Sequence, residues 1–385
     1  MNRLKRAVGL NTRRAGALAL AAIMTCNLTF PQTAFAAVRI DETDLAQGEN
    51  SVGGGTATFV DSILDMAGVT ANELFSDEDL SVNFNGDNNI EQVNTAGSAE
   101  VELNYTGENE VEEVHASEQS NVTIIADGNN EFEEITATDK SNVTINVTGE
   151  NEFEEISGYD DASITVRGTD CQKKDVIELG EGEEDTALST ERGKLTIDHV
   201  TVEVKGKEAL IGSLKGDLLV NTSKIAKEDE NEYTSITAGG TMTVSESVID
   251  ITGTIHSTGA MTIKHSDVKA EAPDPKYDES PYRVSSDTSI KLIDEKNGEV
   301  RQGKIGDKTV HYVDTEGNDG KTVDLKADGE PAYYHCKDEA SAQVKAAVLP
   351  KTGDERTPVW PAAIGIALAA MGHALQTRMR RSEER

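Results

Sequence analysis

Apolar and polar positions in the middle of the chain repeat every 21 residues. Gly86, Gly107, Gly128 and Gly149 mark the period, and Asn88, Asn109, Asn130 and Asn151 keep it. So do Ile90, Val111, Phe132 and Phe153, and three residues further on Val93, Val114, Ile135 and Ile156. Each unit also contains a short alternating segment: Val101-Glu102-Leu103, Val122-Thr123-Ile124, Val143-Thr144-Ile145, Ile164-Thr165-Val166. Alternation in β-branched residues is the period of a strand, and no helical 3.6-residue period survives here. A unit of two or three short strands cannot bury an apolar face alone. Stacked coil on coil, with each rung bonded to the next about 4.8 Å away, it can. The predicted fold class is therefore all-β, a parallel β-helix (solenoid) with regular coils over 80–168. The four asparagines are expected to form an internal or turn ladder of hydrogen bonds. The four glycines are expected at φ > 0.

Beyond 168 the period loosens into irregular coils over 169–295. Leu195-Thr196-Ile197, Leu218-Leu219-Val220, Met242-Thr243-Val244, Met261-Thr262-Ile263 and Ile290-Lys291-Leu292 read as successive rungs spaced by 23, 24, 19 and 29 residues. Acidic or proline-bearing insertions at 180–185 and 273–281 read as loops leaving the coil. An N-terminal lead-in or cap occupies 37–79, with a flexible Gly53-Gly54-Gly55 and a strand pair turning at Asp61-Ser62. Residues 296–337 read as hairpins with turns at Asn297-Gly298, Gly306-Asp307 and Gly317-Asn318, and 338–348 as an alanine-rich spacer. This rung pattern resembles the right-handed β-helix repeats of Gram-positive surface proteins, often grouped as carbohydrate-binding or pectate-lyase-like. The resemblance implies a right-handed solenoid. The rival architecture is a pair of β-sandwich domains, but sandwich strands do not repeat in register.

The two ends of the chain carry different information. Arg3, Lys5, Arg6, Arg13 and Arg14 precede an apolar run over 15–30, and Ala34-Phe35-Ala36 supplies small residues at −3 and −1. This reads as a secretory signal over 1–36, cut between Ala36 and Ala37. At the other end Leu349-Pro350-Lys351-Thr352-Gly353 precedes an apolar segment over 358–376 and a basic tail over 377–385 with Arg378, Arg380 and Arg381. The three parts in this order resemble the LPXTG sorting signal of Gram-positive surface proteins. That resemblance implies sortase as a partner, covalent transfer to a peptidoglycan precursor, and a precursor held transiently in the plasma membrane by a C-terminal helix. The arginines would stay cytoplasmic.

Charge narrows the reading further. The chain has 36 Lys or Arg against 70 Asp or Glu, a net charge of −34, and between the two expected cuts the balance becomes 26 against 66. A basic face for nucleic acid is excluded. No metalloprotease, P-loop, Rossmann or nucleophile-elbow motif occurs, and no catalytic residue or cofactor is assigned. Glu112-Glu113, Glu133-Glu134 and Glu154-Glu155 recur in one register. Stacking brings these like charges together, which makes Glu113, Glu134 and Glu155 candidates for binding a divalent cation. A solvated acidic face is the favoured reading. His256 and His265 fall beside neighbouring rungs and could share a metal. Export permits a disulfide between Cys171 and Cys336. The sequence thus points to a protein covalently attached to the cell wall, serving adhesion or display toward an unidentified glycan or protein ligand. The alternative is a wall-anchored polysaccharide lyase or hydrolase on the same scaffold.

Overall fold

Strand alternation lays equivalent apolar residues over one another in every coil. One file runs Leu64, Val82, Leu103, Ile124, Ile145, Val166, Ile197, Val220, Val244, Ile263, Leu292, each in parallel register with the next. All but Leu292 are buried. Burying one such side chain contributes roughly 1.5–3 kcal/mol, and the file repeats that gain at each step. The computed structural model in which this file is seen describes residues 38–336, apart from 42, 170–174, 181–184, 228–232 and 274–279. It is an all-β parallel solenoid. The irregular rungs pair as the sequence predicts, with Leu195, Leu218, Met242, Met261 and Ile290 in one register.

The second sheet is built from Thr70–Ser76, Asn89–Thr95, Glu110–Ala116, Glu131–Ala137 and Glu150–Gly158, also parallel. Its ladder joins Val111 to Phe132 and Glu113 to Glu134 but passes over Glu112 and Glu133. The strand bends there, and neither glutamate of a pair is buried. At Glu150–Gly158 the bend becomes a break. The first half pairs with Val176–Leu179 and the second with Asp185–Thr190. Later coils carry two short strands at this corner until Val248–Ser257 fuses them again. The expected insertions leave the coil at this corner, with 181–184 and 274–279 outside the described residues.

Inside the regular coils the asparagines form the expected ladder. Asn88 Nδ2 donates to Asn109 Oδ1 (3.3 Å), Asn109 to Asn130 (2.8 Å) and Asn130 to Asn151 (2.8 Å). All four are buried, and burial without partners would cost each amide dearly. Gly86, Gly107, Gly128 and Gly149 have φ between +76° and +114°, as expected. Phe84 stacks on Tyr105 (4.2 Å), Tyr105 meets Phe132 edge to face (5.1 Å), and Phe132 stacks on Phe153 (4.9 Å). Offset and edge-on ring pairs of this kind add to area burial.

Antiparallel strands close both ends. Gly48–Val52, Gly55–Val60 and Ile63–Ala67 form a meander, and parallel pairing starts at Ile63. Asp61 (φ +50°) and Ser62 (φ +63°) make the expected turn, with the left-handed pair that a tight hairpin demands. The glycine triplet is a second tight turn and not a flexible lead-in. Gly53 has φ +54°, and a Cβ there would meet the Thr70 carbonyl oxygen at 1.6 Å. At the far end Gly298–Ile305 and Lys308–Thr315 form a hairpin about Gly306-Asp307, as expected. Two details differ from the predicted run of hairpins. Val323–Leu325 lies antiparallel on Val268–Ala270, because the unpaired edge of that coil needs a partner. Asn297 turns no hairpin: its Nδ2 donates to Asp324 O and its Oδ1 accepts from Lys326 N, each 2.7 Å.

Candidate functional site

An acidic face runs along the second sheet. Parallel pairing puts Glu110, Glu131 and Glu152 in one file, and Glu113, Glu134 and Glu155 in another. The structure therefore brings the three candidate cation ligands together in register. It also supplies each with a neutral or weakly charged neighbour. Gln92 Nε2 donates to Glu113 (3.1 Å), Thr136 Oγ1 to Glu134 (2.6 Å) and Ser157 Oγ to Glu155 (2.6 Å). His115 Nδ1 stands 3.9 Å from Glu113. Partial burial and the neighbouring Glu134 push the Glu113 carboxyl up. Burial holds His115 below the usual imidazole range against the pull of Glu134 and Asp139. Hydroxyl and amide donors thus relieve part of the repulsion. Among the described residues, no group of three or more His, Cys, Asp or Glu is arranged to hold a metal ion.

The opposite sheet differs in character. Thr123, Thr144, Thr165 and Thr196 form an outward file, continued after Leu219 by Thr243 and Thr262. At its N-terminal end lies an open concavity of about 410 Å³ lined by Ser62, Asp79, Ser81, Glu100, Glu102, Asn121 and Thr123, with Leu80 and Val101 behind. Neither Lys nor Arg lines it. A lyase on this scaffold needs a base beside its carboxylates, so the concavity holds one half of that chemistry only.

The two candidate histidines find separate partners. His256 Nδ1 bonds Ser285 Oγ (3.0 Å), and its Nε2 faces Asp287 at 3.8 Å. The three side chains have the composition of a hydrolytic relay. Ser285 is 2% exposed, and the contact joins the register partners of adjacent coils. His265 Nδ1 bonds Glu246 Oε2 (2.8 Å).

Sequence reasoning missed a second internal ladder. Ser223, Ser247 and Ser266 are fully buried. Val200 N donates to Ser223 Oγ, Ser223 N to Ser247 Oγ, Ser247 N to Ser266 Oγ, and Ser266 N to Glu295 Oε1 at the end of the stack. Its signal was a serine three residues after Val220, Val244 and Ile263, the last residues of three of the irregular rungs, at the rungs' own spacing of 24 and 19 residues. Leu349, Pro350, Lys351, Thr352, Gly353, Ala34, Ala36, Ala37 and Cys171 all lie outside the described residues, as does the apolar segment 358–376. Among the described residues no helix is long and apolar enough to cross a membrane. Cys336 is buried and disulfide-bonded. No protein-family model, curated protein or solved structure matches the chain.

Proposed function

We propose that this chain is exported, joined covalently to the cell wall through Thr352, and serves as a surface protein for adhesion or display. The observation that carries the reading is the ordered C-terminal signal, Leu349 to Gly353 then an apolar segment then arginines, in a chain that also opens on an export signal. The apolar segment would act as a membrane helix long enough for sortase to find the motif. The solenoid is taken as right-handed, the hand of nearly all parallel crossovers. Its two antiparallel caps suit an extended spacer that holds a binding surface away from the wall.

The chemistry asked of the motif is specific. The sortase cysteine thiolate attacks the Thr352 carbonyl, the Thr352–Gly353 bond breaks, and Gly353 leaves as the amine. The thioester is then taken by an amine of the peptidoglycan precursor, so the peptide bond's energy is conserved without ATP. Pro350 fixes φ near −65° and presents an extended segment to the enzyme groove. Leu349 fills an apolar pocket, and Lys351 occupies the tolerant position. Thr352→Ala is expected to leave export intact but move the protein to the membrane fraction or the medium. Lys351→Gln is expected to change little. If Thr352→Ala protein still needs muralytic digestion for release, the anchoring reading fails.

A further inference from the structure

The last described segment does not run outward from the end of the stack. After Val323–Leu325 the chain turns back along the outside of the solenoid. Ala327 N donates to Asp267 Oδ1 (3.1 Å) and Tyr334 Oη to Asp267 Oδ2 (3.3 Å). One coil closer to the N-terminus, Ala332 N donates to Glu246 Oε2 and Tyr333 N to Glu246 O, each 3.1 Å. Tyr333 and Cys336 are buried together with Val248. The Tyr333 and Thr201 hydroxyls share a hydrogen bond of 2.8 Å. Thr201, Lys224, Val248 and Asp267 are successive members of one register file. The segment therefore crosses three coil-to-coil steps backward and ends in the disulfide-bonded Cys336.

We propose that this returning segment is a covalent strap that sets where a pull on the C-terminal tail enters the molecule. The inference rests on the wall-anchoring reading for its biological setting. Cys26 and Cys171 are the only other cysteines, and Cys26 falls within the expected signal. That leaves Cys171, outside the described residues, as the partner, and the strap is directed toward its part of the sequence: Thr201 pairs with Val176 in the next coil down. A chain held at both ends carries no tension through residues enclosed by a disulfide between the grips. Load applied at the tail therefore passes from Cys336 directly into the regular 21-residue coils. The irregular coils with their long insertions, the C-terminal hairpin and the serine ladder stay off the load path. The arrangement divides labour along the stack: the coils with asparagine and aromatic ladders bear tension, and the looped coils are kept folded.

The test is single-molecule pulling on the full chain in mild detergent, gripped by tags inserted after Ala37 and at the C-terminus, with and without reductant. Under oxidising conditions the fully extended length should fall short by the 165-residue span between Cys171 and Cys336, roughly 590 Å. Reductant added to the folded protein should restore that length and add ruptures at lower force. Under reductant, Tyr333→Phe, which keeps the packing but loses the hydroxyl, should lower the force of the first rupture. Full extension without reductant overturns the proposal, and so does an unchanged first rupture in the reduced Tyr333→Phe chain. The measurement needs no cell wall, so its failure is separate from failure of the anchoring reading, which muralytic release decides.

Discussion

Tyr105 shows how the interior of one coil is tuned by a single atom. It is fully buried between Phe84 and Phe132, and its hydroxyl has no hydrogen-bond partner. Burial without a partner pushes its ionisation far up and leaves the dipole uncompensated. Tyr105→Phe keeps both ring contacts and removes the orphan. It should stabilise the fold by about 1 kcal/mol and raise the melting temperature on the order of 2 °C. A lower melting temperature would show that the hydroxyl is satisfied. Glu295 poses the opposite case at the C-terminal end. Burial, with Asp267 and Asp294 adding to it, pushes its carboxyl up to about 7 despite the Ser266 N–H bond and nearby His265. An acid with a raised folded pKa holds its proton when the unfolded chain has already lost it. Stability from this group therefore falls as pH rises from about 4.5 to 7 and stays level above. Glu295→Gln retains the acceptor for Ser266 N–H and cannot ionise. Thermal melts of the variant and the parent should separate progressively between pH 5 and 8, with the variant higher. Parallel curves across that range would place the titration elsewhere.

At the scale of the element, the 21-residue coil is the unit that can be added or removed. Thr106 and Asp127 are register partners, so deleting Thr106 to Ala126 joins Tyr105 to Asp127 at an equivalent place. The asparagine and aromatic files close over the gap, because Asn88 then faces Asn130 and each neighbour meets a surface like the one it lost. That variant should lose only a few degrees in a circular-dichroism melt. Deleting the ten residues from Thr106 to His115 breaks every file at once and should cost most of the stability. Equal melts would sink the modular picture. This element was legible because strict periodicity leaves a mark at each register: Gly149 at φ +81° and the Asn130–Asn151 bond both follow from the spacing. The irregular half was legible only where alternation survived, as at Leu195, Leu218 and Met242. The corner where Glu150–Gly158 splits was not legible, since an insertion changes the spacing without changing the strands around it. The strap was missed for a different reason. Ala332 N and Tyr333 N find their acceptors on Glu246, 86 and 87 residues earlier in the chain, and no local pattern records a contact of that range.

Charge is organised over the whole molecule, and it decides what a divalent cation can do. Residues 37–168 contain 30 Asp or Glu and only 3 Lys or Arg, whereas 169–348 contain 36 against 22. The imbalance therefore falls on the N-terminal lead-in and on the regular coils with their glutamate files. Files on adjacent coils stand about 4.8 Å apart, inside the roughly 8 Å screening length of physiological salt, so simple salt relieves them only in part. The Glu133 carboxyl is pushed up by partial desolvation and then by Glu154, Glu112, Glu131 and Glu110 around it, which is the signature of shared repulsion along the face. Specific Ca²⁺ binding would need several of these oxygens to converge on one point. Instead Glu134 and Glu155 each accept from a hydroxyl on their own strand, and Glu112 and Glu133 are exposed. Raising NaCl should therefore increase the melting temperature gradually, and millimolar Ca²⁺ at matched ionic strength should give nearly the same curve. Thr136→Val and Ser157→Ala remove the two hydroxyl donors and should make the fold more sensitive to low salt, with no new preference for Ca²⁺. A large, saturable rise with Ca²⁺ and not with matched NaCl would mean that the glutamate files are a cation site and not a solvated face.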